Sequence, residues 1–363
     1  MMSRVAGGFG GLFNGLLRPI RYGYANARVK GMKARLISRE ALQQLIDAPD
    51  IHAVIGILER TEYAQDMSAL AVKHSGVPLV ELALGRHVAR VGRDVISLSP
   101  KASIPAVMTF LKKWDAHNLK LILLSKHLGH SNEDTEHLLV PAGVFTAAEL
   151  KRIQAHASVE DVVVFLGAKG YGADLASLLP DYGKSGNLQP LLNAIDLHYY
   201  AKFAANLPPG MKDRDKIIRL EEWEVDNKDL LTILRGKASG AKEEDVKKYL
   251  LLCGTLRRPE VAQLFAAPSM EDAVKLAGDR YGLTGLAEAY GRARSLAAVE
   301  VALGRARAEY GLRALRTCVL STGAIVGYLA LMENEMANIR HVVQGKKYGL
   351  PPEKIRESVI IVG

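Results

Sequence analysis

The residue types best suited to chemistry are crowded into one run of the chain, KHLGHSNEDTEH, from Lys126 to His137. Imidazole and carboxylate groups are common zinc ligands, and the run supplies five candidates: His127, His130, His137, Glu133 and Glu136. Two later segments share the pattern of this one, yet they carry Ala241 and Leu350 where His130 stands. A unit that repeats without these ligands does not need a metal, so we predict no metal site and no cofactor.

Two Ser-x-x-Asp pairs are the strongest candidates for a nucleophile with an acid partner. They are Ser158 with Asp161 and Ser269 with Asp272, and each stands directly before an apolar run of helical type. A serine in that position accepts a hydrogen bond from a first-turn N–H, so both pairs are predicted to be helix caps. The Gly-Lys-Ser at 183–185 has Leu178 where a phosphate-binding loop requires glycine. We therefore predict no catalytic residue and no small-molecule substrate.

One segment pattern occurs three times, beginning at Trp114, Trp223 and Asn334. Each copy contains an asparagine, an apolar run, a Lys-x-x-Gly and a further glycine 14 residues later. The matched residues are Asn118, Asn227 and Asn338, then Lys126, Lys237 and Lys346, then Gly129, Gly240 and Gly349. On this matching, only the middle copy has an insertion, which is two residues long and lies between Asn227 and Lys237.

Two further patterns recur in the same order. Asp50, Ser158 and Ser269 stand at matching places, 108 and 111 residues apart, and the sequence ELALGRHVARV returns as EVALGRARAEY. Several patterns at one fixed spacing are the signature of a repeat architecture. We predict an all-α protein of three pseudo-symmetric helical repeats, at residues 22–143, 144–254 and 255–363, preceded by a Gly-rich basic arm at residues 1–21.

Each Lys-x-x-Gly is predicted to end a helix, because lysine complements the negative C-terminal end of the helix dipole and glycine readily adopts the left-handed conformation. The residues that follow, such as SNEDTEHLL after His130, predict a second helix with acids in its first turn. A helical hairpin of this kind is also found in nucleic-acid-binding proteins, but the acidic start of its second helix would repel phosphate. We predict no nucleic-acid partner.

Positive charge is concentrated at the N-terminus, where residues 1–39 carry eight basic residues and no acid in a chain of net charge +9. Phe9, Leu12, Phe13, Leu16 and Leu17 are spaced for one helical face, which is typical of an interfacial helix. The five glycines of this segment weaken that helix by about 1 kcal/mol each, so a disordered tail is the alternative. The best candidate for a membrane span, 319–332, has only 14 residues and is predicted to be a buried core helix.

Three stretches of the chain resemble the C subunit (the d subunit in V-type enzymes) of archaeal A-type and bacterial V-type ATP synthases. They are YANARVKGMKARL from Tyr24, DNKDLL with LRGK from Asp226, and the ending from Asn338 through GLPPEKI. The similarity covers residues 22–363, whereas the Gly-rich arm departs from the family pattern. The ordered set of stretches carries the resemblance, since no single motif is decisive.

The resemblance implies a funnel-shaped, non-catalytic connector in the central stalk of a rotary ATPase. One face would sit on the ring of proteolipid subunits (the c/K ring), and the other would receive the stalk subunits D and F. Torque would then pass between the ring and the A and B subunits of the head. This role implies a peripheral protein at the membrane surface on its cytoplasmic side. The alternatives are a helical-repeat scaffold unrelated to rotary ATPases and an enzyme on a helical fold.

Two groups of residues are the candidates for contacts with partners. The helices and turns around the implied axis carry the first group: Asn118, Asn227, Asn338, Lys126, Lys237 and Lys346. The second group is the basic arm, which we assign to the membrane side: Arg18, Arg21, Arg28, Lys30 and Lys33.

Overall fold

A computed structural model describes the backbone of residues 6–363 and the side chains of residues 19–363 other than 172 and 173. Within these limits the chain is all-α and has no strand, which confirms the predicted fold class. The helices are α1 (Ala6–Lys33), α2 (Arg39–Asp47), α3 (Ile51–Leu58), α4 (Ala64–Leu70), α5 (Gly76–Leu98), α6 (Ile104–Leu111), α7 (Lys113–Leu128), α8 (Asn132–Glu136), α9 (Ala147–Gln154), α10 (Val159–Leu166), α11 (Gly172–Ala176), α12 (Leu179–Ser185), α13 (Gln189–Asn206), α14 (Arg214–Ala238), α15 (Glu243–Lys247), α16 (Arg258–Ala266), α17 (Met270–Tyr281), α18 (Leu286–Ala293), α19 (Leu296–Thr317), α20 (Thr322–Lys347) and α21 (Pro352–Ser358), with a π-helical segment at Gly167–Tyr171.

Short polar residues start several helices where the sequence predicts caps. The Ser158 hydroxyl accepts the N–H of Asp161 at 3.1 Å, and the Asp161 carboxylate accepts the N–H of Ser158 at 3.2 Å. Ser269 accepts the N–H of Asp272 at 3.0 Å, and Asp50 caps α3. The two Ser-x-x-Asp pairs are therefore occupied in satisfying backbone N–H groups that a helix leaves unpaired at its start.

Seven helices contact one another in a closed order, in which the consecutive helices α6 and α7 share one place. Both α6 and α7 contact α13, and α13 contacts α14. Then α14 contacts α19, α19 contacts α20, α20 contacts α5, and α5 contacts α6. The long helices α7, α14 and α20 carry the three copies of the first repeat pattern. The helices α5, α13 and α19 lie between them in this order.

The core is densest around α20, in which every residue from Thr322 to Met332 is buried. Glycines allow α19 to approach this helix closely, since a Cβ added at Gly327 would lie 2.7 Å from the carbonyl oxygen of Gly311. The segment 319–332 thus contains the buried core helix that the sequence predicts. No helix within residues 6–363 combines the length and the apolar character needed to cross a membrane.

Helix α1 runs beside α20 in the same direction. The Asn26 amide exchanges hydrogen bonds of 3.1 and 3.3 Å with the backbone of Ser321, and beyond the helix end the N–H of Ile37 reaches the Glu335 carboxylate. The predicted boundary after residue 21 falls inside this continuous helix. Of the predicted basic arm, Arg21, Arg28, Lys30 and Lys33 are described, whereas the side chain of Arg18 and those from Phe9 to Leu17 lie outside the described residues.

Candidate functional site

Three helical hairpins carry the residues that the repeat pattern matches. In each, a long helix ends at a glycine in the left-handed conformation, with φ of 70° at Gly129, 71° at Gly240 and 65° at Gly349. Each glycine N–H donates to the carbonyl of the lysine three residues earlier, and the next N–H donates to the carbonyl four residues before the glycine. This confirms the predicted turns, because only glycine adopts such a φ without a steric penalty.

Asn118 and Asn338 bind the segment that returns along the long helix. The Asn118 amide donates to the carbonyl of Val140 at 2.8 Å and accepts the N–H of the same residue at 2.8 Å. Asn338 makes the same pair of bonds with Ile360, at 2.8 and 2.7 Å. Both asparagines are buried. In this conformation their amides pair the backbone of their own hairpins and are not accessible to another chain.

The counterpart of these asparagines in the middle hairpin is Asp229, and our matching of Asn227 to that position is wrong. Asp229 stands 11 residues before Gly240, as in the other two hairpins, so the middle copy has no insertion. Its carboxylate accepts the N–H groups of Leu251 and Leu252, both at 2.8 Å. Asn227 is half-buried, and its Oδ1 has no hydrogen-bond partner within the described part of the chain. Burial raises the pKa of Asp229 to about 6.

An acid three residues before each of these positions holds the start of the next repeat. Asp115 accepts the N–H groups of residues 144 and 145 at 2.8 and 3.0 Å. Asp226 accepts those of residues 255 and 256 at 2.8 and 3.1 Å. A Cβ at Gly143 would lie 2.1 Å from the Asp115 carboxylate and one at Gly254 would lie 2.2 Å from that of Asp226, which explains the glycine 14 residues after each of the first two turns.

Glu335 occupies the same position in the third repeat, where the chain ends at residue 363. Its carboxylate accepts the N–H of Ile37 and, at 2.9 Å, the hydroxyl of Tyr63. Ile37 lies two residues before α2, as Phe145 lies two residues before α9. Glu335 therefore bonds the third repeat to the first by the same kind of contact that Asp115 makes with Phe145. Burial raises the pKa of Glu335 to about 7.

The turn lysines Lys237 and Lys346 stabilise helices other than their own. Lys237 donates to the carbonyls of Phe265 and Ala267, both at 2.7 Å, at the C-terminal end of α16. Lys346 donates to the carbonyl of Ile46 at 2.5 Å, near the end of α2. An ammonium group at the last carbonyls of a helix complements the helix dipole. We predicted that each turn lysine complements the dipole of the helix that carries it, and this prediction is wrong for Lys237 and Lys346.

The first hairpin departs from this arrangement. Lys126 donates to the Asn132 side chain at 2.8 Å, within its own hairpin. Gln154, at the end of α9, instead donates to the carbonyl of Asn132 at 3.0 Å and to the Thr135 hydroxyl at 2.8 Å. A neutral amide thus makes the contact between the first and second repeats that lysines make elsewhere.

The His-rich run of the first hairpin does not converge on one point. The Nδ1 atom of His127 lies 3.0 Å from the Tyr182 hydroxyl, on α12. Within residues 19–363, apart from 172 and 173, no group of three His, Cys, Asp or Glu side chains is placed to hold a metal ion.

Five charged side chains meet between the three long helices, and we call them the central ionic cluster: Lys113, Glu221, Glu224, Arg307 and Glu333. Lys113 lies 3.0 Å from Glu333 and 3.3 Å from Glu221. Arg307 lies 2.8 Å from Glu224 and 3.2 Å from Glu333. Lys113, Glu224 and Glu333 are separated by 111 and 109 residues, which is the spacing of the three turn lysines.

Burial and nearby charges together set the pKa values of four side chains in the central ionic cluster. Burial alone would lower the pKa of Lys113 and of Arg307, but the surrounding carboxylates raise both. Burial likewise opposes ionisation of Glu224, yet Arg307 and Lys113 keep its pKa below the usual value. Burial raises the pKa of Glu333. Because a buried charge is tolerated only with its partners, the cluster fastens the helices that supply its members to one another.

The central ionic cluster was not predicted from the sequence. Its members are spread over α7, α14, α19 and α20, and Lys113 is 220 residues from Glu333. A signal was present, because Lys113, Glu224 and Glu333 are charged residues at the repeat spacing. Such residues are expected to pair with one another when buried.

Comparison with known proteins shows the family of this chain. The family model described as ATP synthase (C/AC39) subunit matches residues 25–358. The C subunit of the A-type ATP synthase of Methanocaldococcus jannaschii is 29% identical over 343 residues, covering 93% of this chain and 86% of the relative. The proteins of the same name from Haloferax volcanii and Thermoplasma acidophilum are 30% and 25% identical, covering 93% and 92% of this chain and 97% and 96% of their own. The chain therefore belongs to the ATP synthase (C/AC39) subunit family, whose members are subunits of a larger ATP synthase complex.

Proposed function

We propose that this chain is the non-catalytic connector of the central stalk in an A/V-type rotary ATPase. It joins the proteolipid c/K ring to the stalk subunits D and F, and through them to the A and B subunits of the head. In this role it transmits torque for ATP synthesis or hydrolysis linked to ion transport. It lies at the membrane surface on the cytoplasmic side, as a peripheral protein.

The observation that carries this proposal is the contact between the third repeat and the first. Glu335 accepts the N–H of Ile37, just as Asp115 accepts that of Phe145. Lys346 donates to the carbonyl of Ile46, just as Lys237 donates to those of Phe265 and Ala267. The same acid contact occurs at all three junctions between the repeats at 22–143, 144–254 and 255–363. The three repeats therefore form a closed set around an axis. A connector between a rotating ring and a stalk requires such a rigid, closed form.

Exposure along α7 and α14 supports a funnel that opens toward the hairpin turns. Next to the central ionic cluster, Lys120, Lys228 and Arg340 are half-buried, and nearer the turns Leu124 and Arg235 are exposed. We place the foot of the stalk in this widening space. The helices of Asn118, Asn227 and Asn338 and the turns of Lys126, Lys237 and Lys346 surround it.

Purification of the affinity-tagged chain from native membranes tests this proposal. We expect the proteolipid ring, the stalk subunits and the nucleotide-binding subunits to be recovered together. The purified chain alone should hydrolyse no nucleotide, because the buried charges of the central ionic cluster are already paired with one another. Recovery of the chain without a ring or stalk, or nucleotide hydrolysis by the chain alone, would contradict the proposal.

A pair of adjacent lysines gives a matched test of the closed form. Lys346→Ala removes the bond to Ile46 between the last and first repeats and should reduce recovery of the ring and the stalk together. Lys347→Ala removes an exposed charge at the next position and should leave recovery unchanged. Equal recovery with both variants would show that this junction does not matter for assembly.

A further inference from the structure

Helix α1 has two faces of opposite character. One face is buried against the core and contains Tyr22, Ala25, Val29 and Met32. The other face carries two large side chains in the open, Ile20 with 74% and Tyr24 with 63% of its surface exposed. These two residues are one helical turn apart, so they form a single apolar patch on the side of the helix that faces away from the core.

The direction of α1 carries this patch past the end of the neighbouring helix. Asn26 is bonded to Ser321, the N-cap of α20, and the chain beyond α1 reaches Glu335 further along α20. The two helices are therefore parallel, and residues before Asn26 extend beyond the start of α20. The seven residues back to Pro19 alone account for about 10 Å at the usual helical rise, and the helix continues to Ala6.

Basic residues lie beside the patch, and exposed basic residues also lie, with the exposed acid Asp215, at the end of the molecule from which it projects. Arg28 and Lys30 are exposed on α1, and residues 1–39 contain no acid. Exposed Lys101 and Lys212 lie at the same end, since Ser103 bonds Thr322 at 2.8 Å and Lys212 bonds the carbonyl of Val319 at 2.7 Å. Exposed apolar, aromatic and basic groups are thus combined at the end opposite the hairpin turns.

Such a combination matches the surface of an anionic bilayer. Aliphatic and aromatic side chains enter the boundary between headgroups and acyl chains, and the basic side chains pair with anionic headgroups. The apolar pattern that the sequence shows from Phe9 to Leu17 is in phase with Ile20, although those side chains lie outside the described residues.

We propose that the outward face of α1, built from Ile20, Tyr24, Arg28 and Lys30, binds the anionic lipid surface of the membrane. This inference deepens the proposed function and rests on it for one point, namely that this end of the molecule faces the membrane. The arm then holds the connector against the bilayer in addition to its contact with the ring.

Binding of the purified full chain to lipid vesicles tests the proposal without the rest of the complex. The chain should sediment with vesicles of phosphatidylcholine and phosphatidylglycerol, and much less with phosphatidylcholine alone. Each basic residue near an anionic surface strengthens binding about five-fold. The double substitution Arg28→Gln with Lys30→Gln should therefore weaken binding about 30-fold. Ile20→Asp should weaken it by about 10-fold or more, since it removes apolar surface and adds a negative charge.

Matched controls carry the same changes elsewhere on the chain. Lys242→Gln with Lys347→Gln removes two exposed charges at the hairpin turns, and Val72→Asp alters an apolar residue with 87% of its surface exposed. Both controls should bind vesicles like the original chain, and urea unfolding of every variant should match it.

The outcomes separate this inference from the proposed function. Equal binding to both kinds of vesicle, or equal losses in the α1 variants and the controls, would overturn the lipid site. A chain that recovers the ring and stalk from native membranes but does not bind anionic vesicles would also overturn it, while leaving the connector role intact. The arm would then contact a protein surface instead.

Discussion

At the scale of single residues, the three hairpins meet one requirement with two residue types. The amides of Asn118 and Asn338 each pair with both the N–H and the carbonyl of one residue, whereas the carboxylate of Asp229 accepts two successive N–H groups. Backbone groups buried beside a helix need partners of this kind. The choice has an electrostatic consequence, because burial raises the pKa of Asp229 to about 6, whereas an amide does not titrate.

The left-handed turn glycines lead to a prediction at the same scale. Gly240→Ala should lower the free energy of unfolding by about 1 to 2 kcal/mol, because a Cβ is disfavoured at a φ of 71°. Gly183→Ala is the control, since Gly183 lies within α12 and no atom stands within 4 Å of its Cβ position. Urea unfolding that gave equal stability for the two variants would show that the turn is not left-handed in solution.

At the scale of elements, the second helix of each hairpin packs on the first through a pair of residues whose sizes are matched. A Cβ at Gly236 would lie 2.4 Å from Val246, and one at Gly345 would lie 2.5 Å from Ile355. In the first hairpin the corresponding pair is Ser125 and Thr135, whose hydroxyl oxygens are 3.2 Å apart. The hairpin therefore tolerates a larger residue on the long helix only where the facing residue is smaller or polar.

This packing predicts coupling between two substitutions in the third hairpin. Gly345→Ala alone should destabilise by about 1 to 3 kcal/mol through overpacking, and Ile355→Ala alone by about 2 to 5 kcal/mol through loss of a buried side chain. The double variant should lose less than the sum of the two, by more than about 0.5 kcal/mol, because the new methyl group enters the vacated space. Unfolding free energies of all four proteins measure this coupling, and strictly additive losses would mean that the two positions do not touch.

The parts of these elements that could be predicted from the sequence depend on local signals. The caps at Ser158 and Ser269 and the turn at Gly240 each use residues close in sequence, and the structure confirms them. The matching of Asn227 failed because it gave residue identity more weight than spacing, whereas the backbone requires an acceptor at the position of Asp229. The central ionic cluster was missed because its pairs join different helices, at separations in sequence that range from 26 to 220 residues.

At the scale of the whole molecule, the three junctions between the proposed repeats have similar contacts, but the chain runs through only two of them. The chain itself crosses from the first repeat to the second and from the second to the third. Between the third and the first there is no covalent link, and the contacts of Glu335 with Ile37, of Lys346 with Ile46 and of Arg340 with Glu81 at 2.8 Å hold them together. Together with the apolar packing of α20 against α1 and α5, these buried polar bonds fasten the last part of the chain to the first.

Glu335 makes the strength of that junction depend on pH. Its pKa is raised from 4.5 to about 7 in the folded protein by burial, so the folded state binds the proton more tightly than the unfolded state does. The stabilisation is complete below about pH 4.5 and is lost as the pH rises to about 7. By linkage this amounts to about 3 kcal/mol, and solvent screens the carboxylate little because only 8% of the residue is exposed.

Glu335→Gln should remove this dependence, because glutamine resembles the protonated acid at every pH. Its carbonyl oxygen can accept the N–H of Ile37, and its amide can donate to the Tyr63 hydroxyl, which then acts as acceptor. Urea unfolding at about pH 5 should give similar stability for the variant and the original chain, whereas at about pH 8 the variant should be more stable, by up to about 3 kcal/mol. The exposed substitution Glu353→Gln is the control and should change neither value. If the variant and the original chain lost stability equally between the two pH values, Glu335 would be ionised freely in the folded protein, and the junction between the last and first repeats would be wetter and looser than its contacts indicate.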